Sequence, residues 1–94
     1  MRIGLLTLHL RIPGCASLKE KRSQIKPLVA RLHREFNISV AEIDYQDKWQ
    51  TAMIGCTLVS NDSKHTERTL RKVSAWVEKH HPHLYIVEEK IELI

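Results

Sequence analysis

The histidines that lie closest together in the sequence are His80, His81 and His83, with Pro82 among them. Two imidazoles can share a metal ion, but a structural zinc site also needs cysteine, carboxylate or further histidine ligands at suitable spacing, which this segment lacks. Proline ends a helix, and basic groups in the last helical turn interact favourably with the helix dipole. We therefore interpret these histidines as the exit of a helix and expect no metal site.

Acidic residues form a second group, at Glu42, Asp44 and Asp47, that could carry acid–base or Mg²⁺ chemistry. Glu42 and Asp44 would share one face of a strand, because alternate side chains in a strand point the same way. No nucleophile or base partner accompanies them, and acids on an edge strand also discourage pairing with a second sheet. The sequence therefore predicts no catalytic residue, no cofactor and no enzymatic activity.

The two cysteines, Cys15 and Cys56, are too few for a disulfide framework, and we expect both to be reduced, one in a loop and one in a strand. Cys15 lies two residues before Ser17, the predicted N-cap of a helix, with Lys21 close by. A helix N-terminus attracts anions and favours a thiolate. Gly14 alone does not make a phosphate-binding loop, so the sequence leaves open whether an anion binds there.

Hydrophobic periodicity predicts four strands and two helices. Ser17 and Glu20 form a capping box, in which the Ser17 hydroxyl accepts from the Glu20 N–H and the Glu20 carboxylate accepts from the Ser17 N–H. Pro27 lies inside the first helix, where it removes a backbone hydrogen bond and predicts a kink. The predicted strands cover residues 2–11, 38–46, 50–60 and 84–93, and the predicted helices cover residues 18–36 and 63–80.

These elements follow in the order strand, helix, strand, strand, helix, strand. Right-handed crossovers place both helices on one face of a sheet whose central strands are the first and third. We therefore predict an α+β fold, a ferredoxin-like βαββαβ sandwich with a four-stranded antiparallel sheet, in a single domain of residues 1–94. No apolar run approaches the ~20 residues of a membrane span, and the N-terminal segment is a strand and not a signal peptide. We expect a cytoplasmic protein with no membrane partner.

Two runs of residues are specific enough to suggest a family: SLKEKRS at residues 17–23 and FNISVAE at residues 36–42. Gln46-Asp47 and the run VSND at residues 59–62 extend the match over nearly the whole chain. In these segments the chain resembles the YlxP-like family of small bacterial proteins. The resemblance implies a ferredoxin-like fold, no established activity and no catalytic residue; a ribosome- or RNA-linked role is sometimes suspected for the family.

Lysine and arginine concentrate on the two predicted helices of a chain whose formal net charge is +4. On a helical wheel, the basic residues of each helix fall outside its buried stripe, so both helices would present a basic outer layer. Such a layer complements a phosphate backbone, because Lys and Arg displace counterions without reading base sequence; solvated helix faces are also often basic. The predicted nucleic-acid-binding residues are Lys19, Arg22, Lys26, Arg34, Lys64, Arg68, Arg71 and Lys72.

Trp49 stands in the predicted turn between strands two and three, close to Tyr45. A large ring is hard to bury in such a turn, and exposed aromatic residues mark contact sites. Strands one and three are apolar on both faces, whereas the helices cover only one, so the other face should pack against a second copy in a homo-oligomer. We predict a protein interface at Trp49, Tyr45 and Met53.

Two known functions of ferredoxin-like domains can be compared with this sequence. RNA-recognition motifs stack bases on aromatic residues of the central strands, which here contain no Phe, Tyr or Trp. Acylphosphatases bind phosphate with an arginine in the first loop and an asparagine on a strand, which Arg11 and Asn61 imitate only superficially. The leading hypothesis is a non-enzymatic module that binds RNA or a ribonucleoprotein. The alternatives are a homo-oligomeric structural or regulatory interaction domain and, third, a small phosphate-ester or acyl-phosphate hydrolase.

Overall fold

The computed structural model describes residues 1–94 and contains the six predicted elements in the predicted order. All three neighbouring strand pairs are antiparallel, and the sheet order is β2-β3-β1-β4. The ferredoxin-like α+β prediction is therefore confirmed, with the first and third strands in the centre. The elements are β1 (Arg2–Arg11), α1 (Leu18–Glu35), β2 (Ser39–Asp44), β3 (Thr51–Ser60), α2 (Ser63–His80) and β4 (Tyr85–Leu93).

The central strands bury every second residue beneath the helices. Leu6 and Leu8 of β1, and Ile54 and Cys56 of β3, have no solvent exposure. The residues between them, such as Leu5, are partly exposed on the opposite side of the sheet. We call that side the open face. This alternation follows from the twofold periodicity of a strand, and it leaves apolar side chains on the open face as predicted.

The helices contact the sheet through the predicted stripes. In α2, Leu70, Val73 and Val77 are fully buried, which is the spacing of one helical face. The approach of α2 to β1 requires glycine at position 4, because a Cβ at Gly4 would overlap the side chains of Thr66 and Leu70. In α1, the buried apolar residues are Ile25, Leu28 and Leu32. Neither helix is long and apolar enough to cross a membrane.

Side chains cap both helices, although one contact differs from its prediction. Ser17 Oγ accepts from the Glu20 N–H at 3.0 Å, as predicted. The Glu20 carboxylate accepts a hydrogen bond from the Ala16 N–H, also at 3.0 Å, and not from the Ser17 N–H. Ser17 has an extended backbone, and the carboxylate reaches one residue further back. Asp62 Oδ1 caps α2 by accepting from Lys64 N–H at 2.9 Å and His65 N–H at 3.4 Å.

β2 is the strand whose bounds depart most from the prediction. It ends at Asp44 rather than at residue 46, because Tyr45 adopts a left-handed backbone with φ of 62°. The turn to β3 therefore spans residues 45–50 and is longer than expected. The register of β2 against β3 also shifts between Glu42 and Asp44, which pair with Ile54 and Met53. Since these two partners lie on opposite faces of β3, the prediction that both acids share one face is wrong.

Candidate functional site

The basic residues predicted to bind nucleic acid all lie on the surface of the two helices. Lys19, Arg22, Lys26, Arg34, Lys64, Arg68, Arg71 and Lys72 are exposed. Among them, only Arg71 has a carboxylate within ion-pair distance, the Glu67 side chain at 2.9 Å. That pair is itself solvent-exposed and one helical turn apart, an arrangement that stabilises by only ~0.5 kcal/mol. Most of the positive charge on the helices is therefore not neutralised by neighbouring carboxylates.

The eight residues form one basic row on each helix: Lys19, Arg22, Lys26 and Arg34 on α1, and Lys64, Arg68, Arg71 and Lys72 on α2. In the α1 row, Lys26 lies on the side of the helix nearest β2. Lys26 and His33 line a groove of about 510 Å³ whose other wall includes Val40 and Glu42 of β2. Arg31 lies on the opposite flank of α1, where it contacts α2. The basic row of α1 therefore faces away from the seam between the helices.

An aromatic and polar cluster fills the seam between α1 and α2. The Arg31 guanidinium lies 4.9 Å from the centroid of the Trp76 ring, a cation–π distance. Phe36 contacts Trp76 edge-on at 6.4 Å between centroids, and His80 stacks on it at 4.4 Å. Arg31 Nη1 also donates to His81 Nε2 at 3.2 Å. We call these five residues the interhelical cluster; it separates the two basic rows, so the helices carry two rows and not one continuous basic layer.

His81 is the most constrained of the three neighbouring histidines. It forms the C-cap of α2 and is 6% exposed. Burial lowers its pKa below the ordinary value, and the charges of Arg31, His83 and His80 lower the pKa further. His80 Nδ1 donates to the Trp76 carbonyl, one turn back in the helix, at 3.0 Å. No three His, Cys, Asp or Glu side chains are grouped so that they could hold a metal ion.

Lys21 occupies a position that the sequence analysis did not foresee. It is 1% exposed, and its ammonium lies 2.8 Å from Glu42 Oε2 and donates to the Tyr45 carbonyl at 2.6 Å. Glu42 Oε2 is buried, and the ammonium charge is its partner, although the contact does not have hydrogen-bond geometry. Lys21 is therefore unavailable to an anion at the entrance of α1, and Glu42 is not a solvated edge acid. Lys21 lies four residues before Ile25 and seven before Leu28. This helical spacing was the signal in the sequence that Lys21 shares their buried stripe.

Neither thiol is placed for surface chemistry. Cys15 is 1% exposed, and its Sγ contacts the Ser17 carbonyl at 3.4 Å. Cys56 is fully buried in β3, and burial raises its pKa from the ordinary 9.0 to about 12. Both are free thiols, one in a loop and one in a core strand, as predicted. The suggestion of a reactive thiolate at Cys15 is not supported, because the side chain is enclosed.

The residues of the predicted protein interface lie at one end of the sheet. Trp49 is 50% exposed in the turn between β2 and β3. The Tyr45 ring packs against His9 of β1, with 5.4 Å between ring centroids, and His9 pairs across the sheet with Met53. Tyr45 and Met53 are each partly exposed. The three predicted contact residues are thus accessible.

A basic pocket lies at this same end of the sheet. Its volume is about 440 Å³. We call it the turn pocket, because the β2–β3 turn forms one of its walls. No sequence motif indicates it, since strand register brings together residues from β1, the turn, β3 and β4. The pocket is lined by His9, Arg11, Tyr45, Lys48, Gln50, Thr51 and Val87.

The acylphosphatase-like pairing of Arg11 with Asn61 does not occur. Arg11 pairs with Thr51 at one end of the β1–β3 ladder, and Arg2 pairs with Ser60 at the other. Asn61 directly follows Ser60. Nine residues of strand separate the two ends, which is roughly 30 Å. These two side chains therefore cannot act on one phosphate.

The remainder of the open face is apolar toward β2 and charged toward β4. Leu5, Ala41 and Ile43 line a shallow apolar depression of about 240 Å³ above Gly55. On the β4 side, Lys90 and Glu92 form an ion pair at 3.3 Å. The open face therefore combines an apolar half with a charged half.

Comparison with known proteins identifies a family, a bacterial relative and a solved structure of similar fold. A family model described as "Protein of unknown function (DUF503)" matches residues 3–91. The chain is similar to the "Uncharacterized protein YlxP" of Bacillus subtilis (strain 168), with 38% identity over 76 residues that cover 81% of this chain and 83% of that protein. Among solved structures, "De novo designed protein Foldit4" matches with a TM-score of 0.54 and 14% identity, over 100% of this chain and 97% of that one. The last likeness concerns the fold alone.

Proposed function

The chain belongs to the DUF503 family of proteins of unknown function, and we propose that it is a non-enzymatic module that binds the phosphate backbone of RNA or of a ribonucleoprotein. One observation carries this proposal. Eight lysine and arginine side chains are exposed on the two helices, and seven of them have no carboxylate within ion-pair distance. Unpaired cations on a rigid surface bind polyanions through the release of condensed counterions.

The arrangement of the charges favours a folded RNA over an isolated single strand. The α2 row lies on the outer side of its helix, while Lys26 of the α1 row borders the groove beside β2. The interhelical cluster separates the rows. Two separated rows of cations suit two stretches of phosphate backbone, such as the two strands of a helical stem. Lysine and arginine contacts to phosphate position RNA without reading bases, so we expect little base preference.

Two double variants with equal loss of charge test this proposal. Arg68→Gln/Lys72→Gln removes two cations from the α2 row, and Arg2→Gln/Lys90→Gln removes two from the sheet. All four side chains are exposed, so we expect both variants to fold. In fluorescence anisotropy with a labelled RNA hairpin at low salt, the α2 variant should bind about thirtyfold more weakly, because it loses two charge-assisted contacts of ~1 kcal/mol each. Equal weakening by the sheet variant, or no binding by the wild type, would contradict a helical binding surface.

A second candidate function is homo-oligomerisation through the apolar half of the open face. Ile43, which lines the depression above Gly55, is 51% exposed, and Val59, further along β3, is 65% exposed. Exposed apolar side chains grouped in this way favour contact with another protein surface. A second copy of the chain is the simplest partner, and the two functions are compatible because they use opposite faces of the sheet.

We place this function in the cytoplasm, where ribosomes and other RNA are found and where thiols stay reduced. The two free cysteines are consistent with that compartment.

A further inference from the structure

We propose that the turn pocket binds the phosphate group of a small organic phosphate, such as a nucleoside monophosphate. The pocket opens beside the open face of the sheet, away from the basic rows of the helices, so this inference does not depend on the proposed RNA binding.

The charge of the pocket is the first reason. Arg11, Lys48 and His9 contribute three basic groups to its lining, and no carboxylate lines it. Neither Arg11 nor Lys48 has an ion-pair partner elsewhere in the protein. Glu88 pairs with His9 across the β1–β4 ladder, but it does not line the pocket. An anion would therefore meet cations that no neighbouring side chain neutralises.

The tyrosine wall of the pocket is held in place from the protein interior. Tyr45 has a left-handed backbone, a conformation that is strained for a non-glycine residue. Three hydrogen bonds maintain it: Asp44 Oδ1 accepts from the Tyr45 N–H at 2.7 Å, and the Tyr45 carbonyl accepts from Lys48 N–H at 2.9 Å and from Lys21 Nζ at 2.6 Å. A fully buried lysine thus fixes the turn that carries Tyr45 and Lys48.

The histidine wall is fixed in a similar way. The Thr51 hydroxyl donates to the Leu10 carbonyl at 3.2 Å, so its oxygen accepts from His9 Nε2 at 2.6 Å. Because a hydroxyl has a single hydrogen to donate, this assignment follows from the two contacts together. His9 Nδ1 has no hydrogen-bond partner in the protein. The imidazole is therefore oriented by Thr51, and its other ring nitrogen makes no hydrogen bond within the protein.

The chemistry of the lining selects phosphate among anions. The guanidinium of Arg11 offers planar, paired donors that match two phosphate oxygens, and Lys48 adds a point charge. Gln50 and Thr51 supply neutral polar groups, and the Tyr45 ring supplies a flat surface for the organic part of the ligand. A volume of about 440 Å³ exceeds what inorganic phosphate requires and lies within the range of small-molecule sites. These features together indicate a phosphate ester of roughly mononucleotide size.

Three small molecules, used as probes, distinguish recognition of the phosphate group from binding of the organic part of the ligand. We would titrate the ¹⁵N-labelled full chain with inorganic phosphate, uridine monophosphate and uridine, and follow the amide resonances. Both phosphate-bearing probes should shift the resonances of His9, Arg11, Lys48 and Thr51, and uridine monophosphate should bind more tightly than inorganic phosphate. Uridine, which lacks the phosphate, should leave these resonances unchanged. Equal shifts from uridine, or shifts confined to the helices, would overturn the proposal.

Charge-matched variants provide the second part of the test. Arg11→Gln and Lys48→Gln should each weaken binding of uridine monophosphate about tenfold, because each removes a charge-assisted contact to the phosphate. Arg2→Gln, which removes one exposed cation from the end of β1 far from the pocket, should leave this affinity unchanged. Arg11 and Lys48 are both exposed, and unchanged amide spectra outside the pocket would show that the variants are folded. Retained affinity in both pocket variants, or equal loss in Arg2→Gln, would contradict a phosphate site in the turn pocket.

Discussion

The ammonium of Lys21 lies 2.8 Å from the carboxylate of Glu42, inside a protein whose other lysines are all exposed. The pair joins α1 to the edge strand β2, and the same ammonium holds the Tyr45 carbonyl at the start of the following turn. A buried charge is tolerated only when it is paired and hydrogen-bonded. This contact therefore connects the stability of the fold to the shape of the turn pocket.

Replacing Glu42 with Gln should destabilise the protein strongly. The change leaves the Lys21 ammonium buried without a compensating charge, and breaking one side of a buried pair costs ~3 kcal/mol or more. The free energy of unfolding, measured by urea denaturation, would show the loss. Glu89→Gln removes an exposed carboxylate from the other edge strand and serves as the control, with an expected change within ~0.5 kcal/mol. Equal small changes in both variants would mean that Lys21 and Glu42 are not paired in solution.

His81 should make the stability depend on pH in mildly acidic solution. Its pKa in the folded state is lowered by burial and by Arg31, His83 and His80, from an ordinary value of 6.5. The unfolded chain therefore binds the proton more readily, so stability is complete above pH 6.5 and decreases as the pH falls below it. His81→Gln should reduce this decrease, whereas His65→Gln, at an exposed site at the start of α2, should leave it unchanged. Urea titrations at several pH values would measure the effect; an unaltered profile in His81→Gln would contradict it.

Both cysteines should resist thiol reagents as long as the protein is folded. Cys15 and Cys56 are buried, and the pKa of Cys56 is raised to about 12. The thiolate is the reactive form, so at mildly alkaline pH Cys56 is both enclosed and protonated. Absorbance after addition of a disulfide reagent should report almost no fast reaction in buffer and two thiols in denaturant. Rapid reaction of either native thiol would show that the core around it opens readily.

The apolar half of the open face should support self-association. Ile43→Glu places a charge at the rim of the depression above Gly55 and should lower the mass from that of the proposed oligomer to that of a monomer, because an unpaired charge is costly to bury at an interface. Ala75→Glu introduces the same charge on the outer side of α2, where the native residue is exposed, and should leave the mass unchanged. Light scattering coupled to gel filtration measures the mass directly. A monomeric wild type would rule out this second function.

The first and last residues of the elements with strong hydrophobic periodicity were predictable from the sequence. β1 was predicted at residues 2–11 and α2 at residues 63–80, and both bounds are confirmed. β1 alternates cleanly between buried and open faces, and Asp62 marks the start of α2. The end of β2 was not predictable, because the left-handed backbone of Tyr45 depends on a hydrogen bond from Lys21, which lies 24 residues earlier in the chain.

Some surface features were likewise predictable from the sequence, and others were not. The basic rows were predictable, since exposed Lys and Arg on a helix follow from helical spacing alone. The burial of Lys21 was missed because lysine is almost never fully buried unless it is paired, and its partner Glu42 lies on another element. The turn pocket was missed for a related reason. His9, Arg11, Lys48 and Thr51 become neighbours only through the antiparallel register of β1 and β3 and the conformation of the turn.

The dependence of RNA binding on salt concentration tests the central claim most directly. Binding to the phosphate backbone releases counterions, so the logarithm of the association constant should fall linearly with the logarithm of salt concentration, by ~0.9 for each phosphate neutralised in a duplex. We predict a steep slope for the wild-type protein, a slope shallower by nearly two such steps for Arg68→Gln/Lys72→Gln, and an unchanged slope for Arg2→Gln/Lys90→Gln. A wild-type affinity that does not vary with salt, or the absence of binding at low salt, would contradict the account.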